Sequence, residues 1–231
     1  MVYLSADLIG DTQARAILAH EFTHLITFNQ KNLILRIEED IWLNEARAEY
    51  SSSILGYDQA YEGSVLQQRV KDFSQNQAVS LIEWAGSRYD YAAVNLFIQY
   101  LVDHYGINIL SDSLKSNFSG IESINYALKR AGAREDFGQI FTNWTIASFL
   151  NNCSLGEKYC YLNQNLKSFK LAPALNFLPL SGNVSMSVTN MSKNWQGNWI
   201  KFIGGSGNLK LEFLGSAWTN FKLPYITEDA F

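Results

Sequence analysis

Residues 19–30, AHEFTHLITFNQ, place two histidines four apart with a glutamate directly after the first. On a helix, His20 and His24 stand one above the other on one face, so their imidazoles can converge on a single metal ion. Glu21 is rotated about 100° from His20, beside such an ion rather than on it. That is the geometry of H-E-x-x-H: two zinc ligands and a general base. A pair of histidines needs a third protein ligand, with a fourth position left for water. The segment WLNEARAEY offers it, because Glu45 can be carried back beside the histidines by a turn and a returning helix. Glu49 follows Glu45 by one helical turn, on the same face. Its carboxylate can accept the free imidazole N–H of a ligating histidine, fixing tautomer and ring orientation. The expected cofactor is one Zn²⁺ per chain, held by His20, His24 and Glu45.

Helices must carry these groups. Gly10 and Asp11 form a turn and N-cap, and a helix is expected from about Thr12 to Phe28, with Ala14, Ile17, Leu18, Leu25 and Phe28 at helical spacing. A second helix covers about Glu39 to Leu55 and stops at Gly56, and a third covers about Tyr61 to Phe73. Ser80 and Glu83 have the spacing of a capping box ahead of YAAVNLFIQYLVDHYG, which reads as a buried helix ending at Gly106. Ser119 and Glu122 repeat the pattern ahead of a helix stopped by Gly132, and REDFGQIFTNWTIASFL makes one more, ending near Asn151. Val2 to Ser5 suits a short strand. Beyond about residue 170 the texture changes. WIKFIGG, NLKLEFLG and NFKLPYI have strand lengths, punctuated by Gly, Ser and Asn.

The fold class expected is α+β. A mostly helical catalytic domain, residues 1–165, packs the histidine helix on the helix of Glu45; a small all-β domain, residues 166–231, follows. The 231 residues suit one large or two modest domains, and 47% hydrophobic against 17% charged residues suits a globular chain. A net charge of -4 with no basic cluster argues against a nucleic-acid partner. The longest apolar runs are too short and interrupted to span a bilayer. MVYLSADLIGD lacks the basic and apolar regions of a signal peptide. Yet Cys153 and Cys160 flank a short loop that a disulfide would close, and sequons at Asn117, Asn143, Asn152, Asn183 and Asn190 fit a secreted chain. His104, near a helix C-terminus, reads as a surface histidine whose charge suits the helix dipole.

HEFTH followed by WLNEARAEY resembles the gluzincin metallopeptidases: thermolysin, the aminopeptidase N family and, most of all, the hyicolysin-like secreted neutral peptidases. The resemblance spans roughly residues 1 to 165. It implies a secreted or cell-surface peptidase acting on protein or peptide substrates, with His20, His24 and Glu45 on zinc, Glu21 as general base and acid, and Glu49 supporting a ligand. It also implies an oxyanion donor in the segment SRYDYAAVNLF, where the aminopeptidase pattern selects Tyr89 and the hyicolysin-like pattern Tyr91. Related enzymes place a β-sheet before the first histidine, where this chain has 19 residues. The resemblance therefore implies an N-terminally truncated catalytic domain whose parent carries a further subdomain; separately, the last strand, FKLPYITEDAF, ends abruptly, so an incomplete C-terminal domain is expected. Three activities are open: an endopeptidase, an exopeptidase of the same clan, and an inactive peptidase fold used as a binding module. Trp195, Trp199 and Trp218 in the β-rich part serve either packing or docking of a partner.

Overall fold

A computed structural model describes residues 12–179, 185–205, 208–216 and 218–227. The strand expected at Val2 to Ser5 lies outside them. Among the described residues are seven helices: α1 (Thr12–Thr27), α2 (Ile41–Ile54), α3 (Val65–Gln75), α4 (Arg88–Tyr105), α5 (Asn108–Lys115), α6 (Gly120–Arg130) and α7 (Phe137–Leu150). The fold is mostly helical with a small sheet, as the α+β reading expects. Helix α4 is the central post, buried from Ala92 to Val102. Helices α2 and α3 pack on it, and α1 packs on α2. Burying large apolar side chains such as Leu43, Phe73, Phe97 and Tyr161 drives this, at ~1.5–3 kcal/mol each.

Helix α1 ends within a residue of the expected Phe28, but the helical path does not end there. Nothing in FNQKNLIL breaks a helix, and the chain continues as π-helix through Phe28–Leu35 until Arg36 turns left-handed at φ 57°. The apolar residues of α1 do not seat it. Leu18, Leu25 and Phe28 are exposed and Ala14 and Ile17 only half-buried, while Ala16, Thr27 and Lys31 are buried and His20, Thr23 and His24 half-buried at helical spacing. The inward face of α1 is the polar one. Its anchor is Lys31, fully buried, whose ammonium donates to the carbonyl of Ser113 in the last turn of α5 and to those of Ser116 and Phe118 just beyond it. Glu39 completes this cluster: it accepts from Arg47 Nη1 at 2.7 Å and from the Gly120 N–H at the start of α6. Ser119 makes no side-chain cap, so Glu39 supplies the acceptor there.

The capping box expected at Ser80 is displaced. Ser80 Oγ does accept the Glu83 N–H at 2.9 Å, but no helix follows. The box that opens α4 is Ser87 with Asp90, one loop later. Helix α3 starts at Ser64, whose side chain accepts from Gln67 N, rather than at Tyr61. The short helix α5 has no counterpart in the sequence reading.

The β-rich region is reduced to two parallel strands, β1 (Ala174–Leu178) and β2 (Ile200–Gly204), in register from Ala174 against Ile200. Of the three expected strands only the one in WIKFIGG forms. Residues 208–216 and 218–227 contain no strand: no described residue forms a strand pair with them along the backbone, and their apolar side chains, such as Leu209 and Ile226, stay exposed. Residues 166–171 instead join the helical core through Leu166, Phe169 and Leu171. Cys153 and Cys160 are disulfide-bonded. Asn143 is buried and accepts from Gln139, so that sequon offers no surface for a glycan. His104 is half-buried rather than on the surface, with Nε2 3.0 Å from the Cys160 carbonyl.

Candidate metal centre

Helices α1 and α2 lie against each other so that His20, His24 and Glu45 meet. One ligand atom from each falls within 4.8 Å of the others. Glu45 Oε2 is 3.3 Å from His20 Nε2 and 3.5 Å from His24 Nε2. Two bonds of about 2.0–2.1 Å at a tetrahedral angle put ligand atoms roughly 3.4 Å apart, so this spacing suits a small four-coordinate cation.

The outer atoms of each group are already committed. His24 Nδ1 lies 3.1 Å from Asn44 Oδ1, which can only accept, so the ring hydrogen sits on Nδ1 and Nε2 keeps its lone pair. His20 Nδ1 lies 3.5 Å from Glu49 Oε1, and this looser contact with an acceptor favours the same tautomer. Two imidazole lone pairs and a carboxylate oxygen therefore point at one spot. While both imidazoles are neutral with their hydrogens on Nδ1, the buried Glu45 Oε2 has no hydrogen-bond donor of its own; only a protonated imidazole can donate to it. An orphaned, buried anionic oxygen is costly unless a cation takes it up. The donor set fits a metal ion, and among the described residues no second such group occurs.

Without metal, protons partly substitute. The Glu45 hydrogen bond raises His24 above its ordinary value, against the opposing effect of burial. Burial pushes the Glu45 carboxyl up, but the two imidazoles outweigh it and hold the group down at about 2.

A cavity of about 250 Å³ opens beside these groups. Its walls include Ala16, His20, Glu21, Glu49, Arg69 and Tyr91. Tyr91 is the tyrosine that reaches it: its ring centroid is 6.4 Å from that of His20 and packs edge-on against Trp84 at 4.9 Å. Burial, then the charges of Glu45 and Glu49, push its phenol up, so it stays a proton donor at neutral pH. Tyr89, two residues away on α4, is engaged by Arg88, which donates to its hydroxyl at 2.9 Å and lies over its ring. Tyr89 is not among the residues lining the cavity.

Three residues of this site escape a sequence reading. Asn44 holds His24, Asn95 donates to Glu49 Oε2 at 3.3 Å, and Arg69 forks onto Glu49 through Nε and Nη2 at 2.6 and 2.7 Å. Asn44 had a signal, being adjacent to Glu45 in the Glu-ligand segment. Asn95 and Arg69 had none, since helix packing alone brings them in.

No family profile matches the chain. Over 152 residues it is 28% identical to the neutral metalloprotease ShpI of Staphylococcus hyicus, covering 60% of this chain. The matched part spans 33% of that relative's length. This distant and partial similarity supports a metalloprotease relationship, and it agrees with a donor set built for a metal.

Proposed function

We propose that this chain carries the catalytic centre of a zinc endopeptidase of the gluzincin type. The observation that carries the reading is the orphaned Glu45 Oε2 facing two imidazole lone pairs at tetrahedral spacing. His20, His24 and Glu45 would hold one Zn²⁺. When bound, zinc supplies a water whose pKa is lowered towards ~7 and polarises the scissile carbonyl. Glu21, on the cavity wall, takes the proton of the attacking water and passes it to the leaving amine. Tyr91 donates its hydroxyl hydrogen to the developing oxyanion, where one such donor commonly accounts for roughly 10²–10³ in rate. Glu49 and Asn44 keep the two ring hydrogens on Nδ1.

The substrate is a protein or peptide. The disulfide supports an oxidising, extracytoplasmic setting. No helix among the described residues is long and apolar enough to cross a membrane. The catalytic unit is residues 1–165, and residues 166–231 follow it, their first six closing its core through Leu166, Phe169 and Leu171. On α1, Phe22 is 61% exposed, and beyond it Leu33 and Ile34 are each 60% exposed. That apolar stripe is surface that a further subdomain of a longer parent would cover.

Cleavage of quenched fluorescent casein by the chain with one equivalent of zinc, beside Glu21→Gln, tests the reading. The variant should keep the metal and lose activity. Equal cleavage by both would remove Glu21 from the chemistry. Loss of cleavage on blocking the substrate's amino terminus would replace endopeptidase by exopeptidase.

A further inference from the structure

Arg69 belongs to neither motif, yet it touches both arms of the proposed site. It lies on α3, which is fixed by the Ser64 cap and by Leu66 and Phe73 in the core. Its guanidinium grips both oxygens of Glu49, with Nε on Oε2 at 2.6 Å and Nη2 on Oε1 at 2.7 Å. The same planar group sits 5.1 Å from the centroid of the Tyr91 ring. Its Nη1 lies 3.9 Å from Asp72, and the side chain is only 19% exposed.

Glu49 is the group that Arg69 controls. It is buried, and its Oε1 faces His20 Nδ1 at 3.5 Å. With only the long 3.3 Å bond from Asn95 on Oε2, the carboxylate could still rotate about its terminal bond and turn Oε1 away from His20. The two-point grip removes that freedom, as a single ammonium could not. Glu21 and Glu49 line one cavity with Arg69, so the guanidinium also supplies positive charge to a site crowded with carboxylates. A buried ion pair is weak evidence for a stability role. This one is aimed instead at the imidazole that faces Glu45 and at the ring that carries the candidate oxyanion donor.

We propose that Arg69 is a positioning residue: by clamping Glu49 it fixes the plane and tautomer of His20, and by lying on Tyr91 it fixes the face of that ring. The inference rests on the zinc-peptidase reading above.

The test uses the full chain and three readouts: zinc affinity by competition with a chromophoric chelator, the visible spectrum of the cobalt-substituted protein, and kcat and KM on one peptide. Arg69→Met should weaken zinc binding roughly 10–100-fold, the range found when partners of metal-bound imidazoles are removed. It should also alter the cobalt spectrum and lower kcat with KM changed less than about twofold, since uniform substrate binding is untouched. Arg69→Lys keeps the charge and the stem but loses the fork. It should fall between wild type and Met, and it preserves the test if the Met variant does not fold. In a Glu49→Gln background, Arg69→Met should weaken zinc binding by less than about twofold more, because the route to His20 is already cut, while the part of the kcat loss that runs through Tyr91 remains. Variants that lower Tm alone, with zinc affinity and cobalt spectrum unchanged, would overturn the proposal, as would full additivity with Glu49→Gln in zinc affinity. A wild-type chain that takes up no zinc would instead strike the reading beneath it.

Discussion

His24 and Glu45 respond to protons in opposite directions, and this gives the centre a pH signature. In the metal-free chain His24 is raised above 6.5, first by its hydrogen bond to Glu45. Its contribution to stability is fully present below pH 6.5 and is lost as pH rises through the raised value. Glu45, despite burial, is held down at about 2 from an ordinary 4.5, so its contribution is present above pH 4.5 and lost as pH falls towards 2. The pair therefore helps the metal-free fold most between those two limits. Zinc reverses the slope on the upper side, because the imidazoles must be neutral to bind it. Calorimetry should show the metal-free difference in Tm between wild type and Glu45→Gln larger at about pH 5.5 than at about pH 8. The increase in Tm on adding zinc should be larger at about pH 8. A zinc increment that grows on acidification would exclude this ligand set. The two tyrosines separate just as sharply. Tyr91→Phe removes one hydroxyl from the cavity and should lower kcat by roughly 10²–10³ with zinc affinity unchanged. Tyr89→Phe disturbs only the contact with Arg88 and should stay within about twofold. Similar losses in both variants would remove Tyr91 from its proposed role.

Elements decide why some of this was legible in the sequence and some was not. The histidine pair needs only the i, i+4 rule, which holds on any helix. Glu45 and Glu49 need one further assumption, a returning helix, and α2 supplies it. Hydrophobic periodicity located α1 but misled on its orientation. The helix turns its small and polar side chains inward, and Leu18, Phe22 and Leu25 outward. Local capping chemistry also failed to choose between Ser80 and Ser87, since either hydroxyl can accept a nearby N–H; Ser80 is committed elsewhere, donating to the Asn194 carbonyl at 2.6 Å. Arg69 and Lys31 were invisible because each acts across helices. Lys31 shows what such an anchor contributes. Burial lowers its pKa, yet its ammonium takes three carbonyls at and just beyond the end of α5 and faces Glu39 at 3.7 Å. Lys31→Met removes the cation from those carbonyls and from Glu39, leaving Ser113 and Phe118 only their weaker hydroxyl donor Ser116, and should cost ~2–4 kcal/mol. At roughly 2–4 °C per kcal/mol for a chain of this length, Tm should fall by about 5–15 °C. Urea denaturation showing a loss below about 0.5 kcal/mol would mean that water replaces the ammonium.

At the scale of the whole chain, the C-terminal residues reach back to the catalytic side. Ser80 bridges Gln196, Leu81 N donates to the Trp195 carbonyl at 2.9 Å, and Asn194 N donates to Glu83. The loop held in this way carries Trp84, which packs on Tyr91. Trp195, at a positive φ of 52°, presses its ring on Phe137 and Phe141 at 4.8 and 5.4 Å. Trp199 donates to the Thr145 carbonyl at 2.8 Å. These two tryptophans are therefore packing residues, whereas Trp218 is 96% exposed and touches the core nowhere among the described contacts. Trp195→Ala should cost ~3 kcal/mol by cavity formation and loosen the loop that carries Trp84. Trp218→Ala should fall within about 0.5 kcal/mol of wild type. The contrast has a functional reading as well. If the strap steadies Tyr91 through Trp84, Trp195→Ala lowers kcat at a temperature where the variant remains folded, while its zinc affinity holds. Unfolding midpoints in urea, taken beside kcat on one peptide, decide this: a destabilised Trp195→Ala with wild-type kcat would confine residues 193–199 to holding the fold.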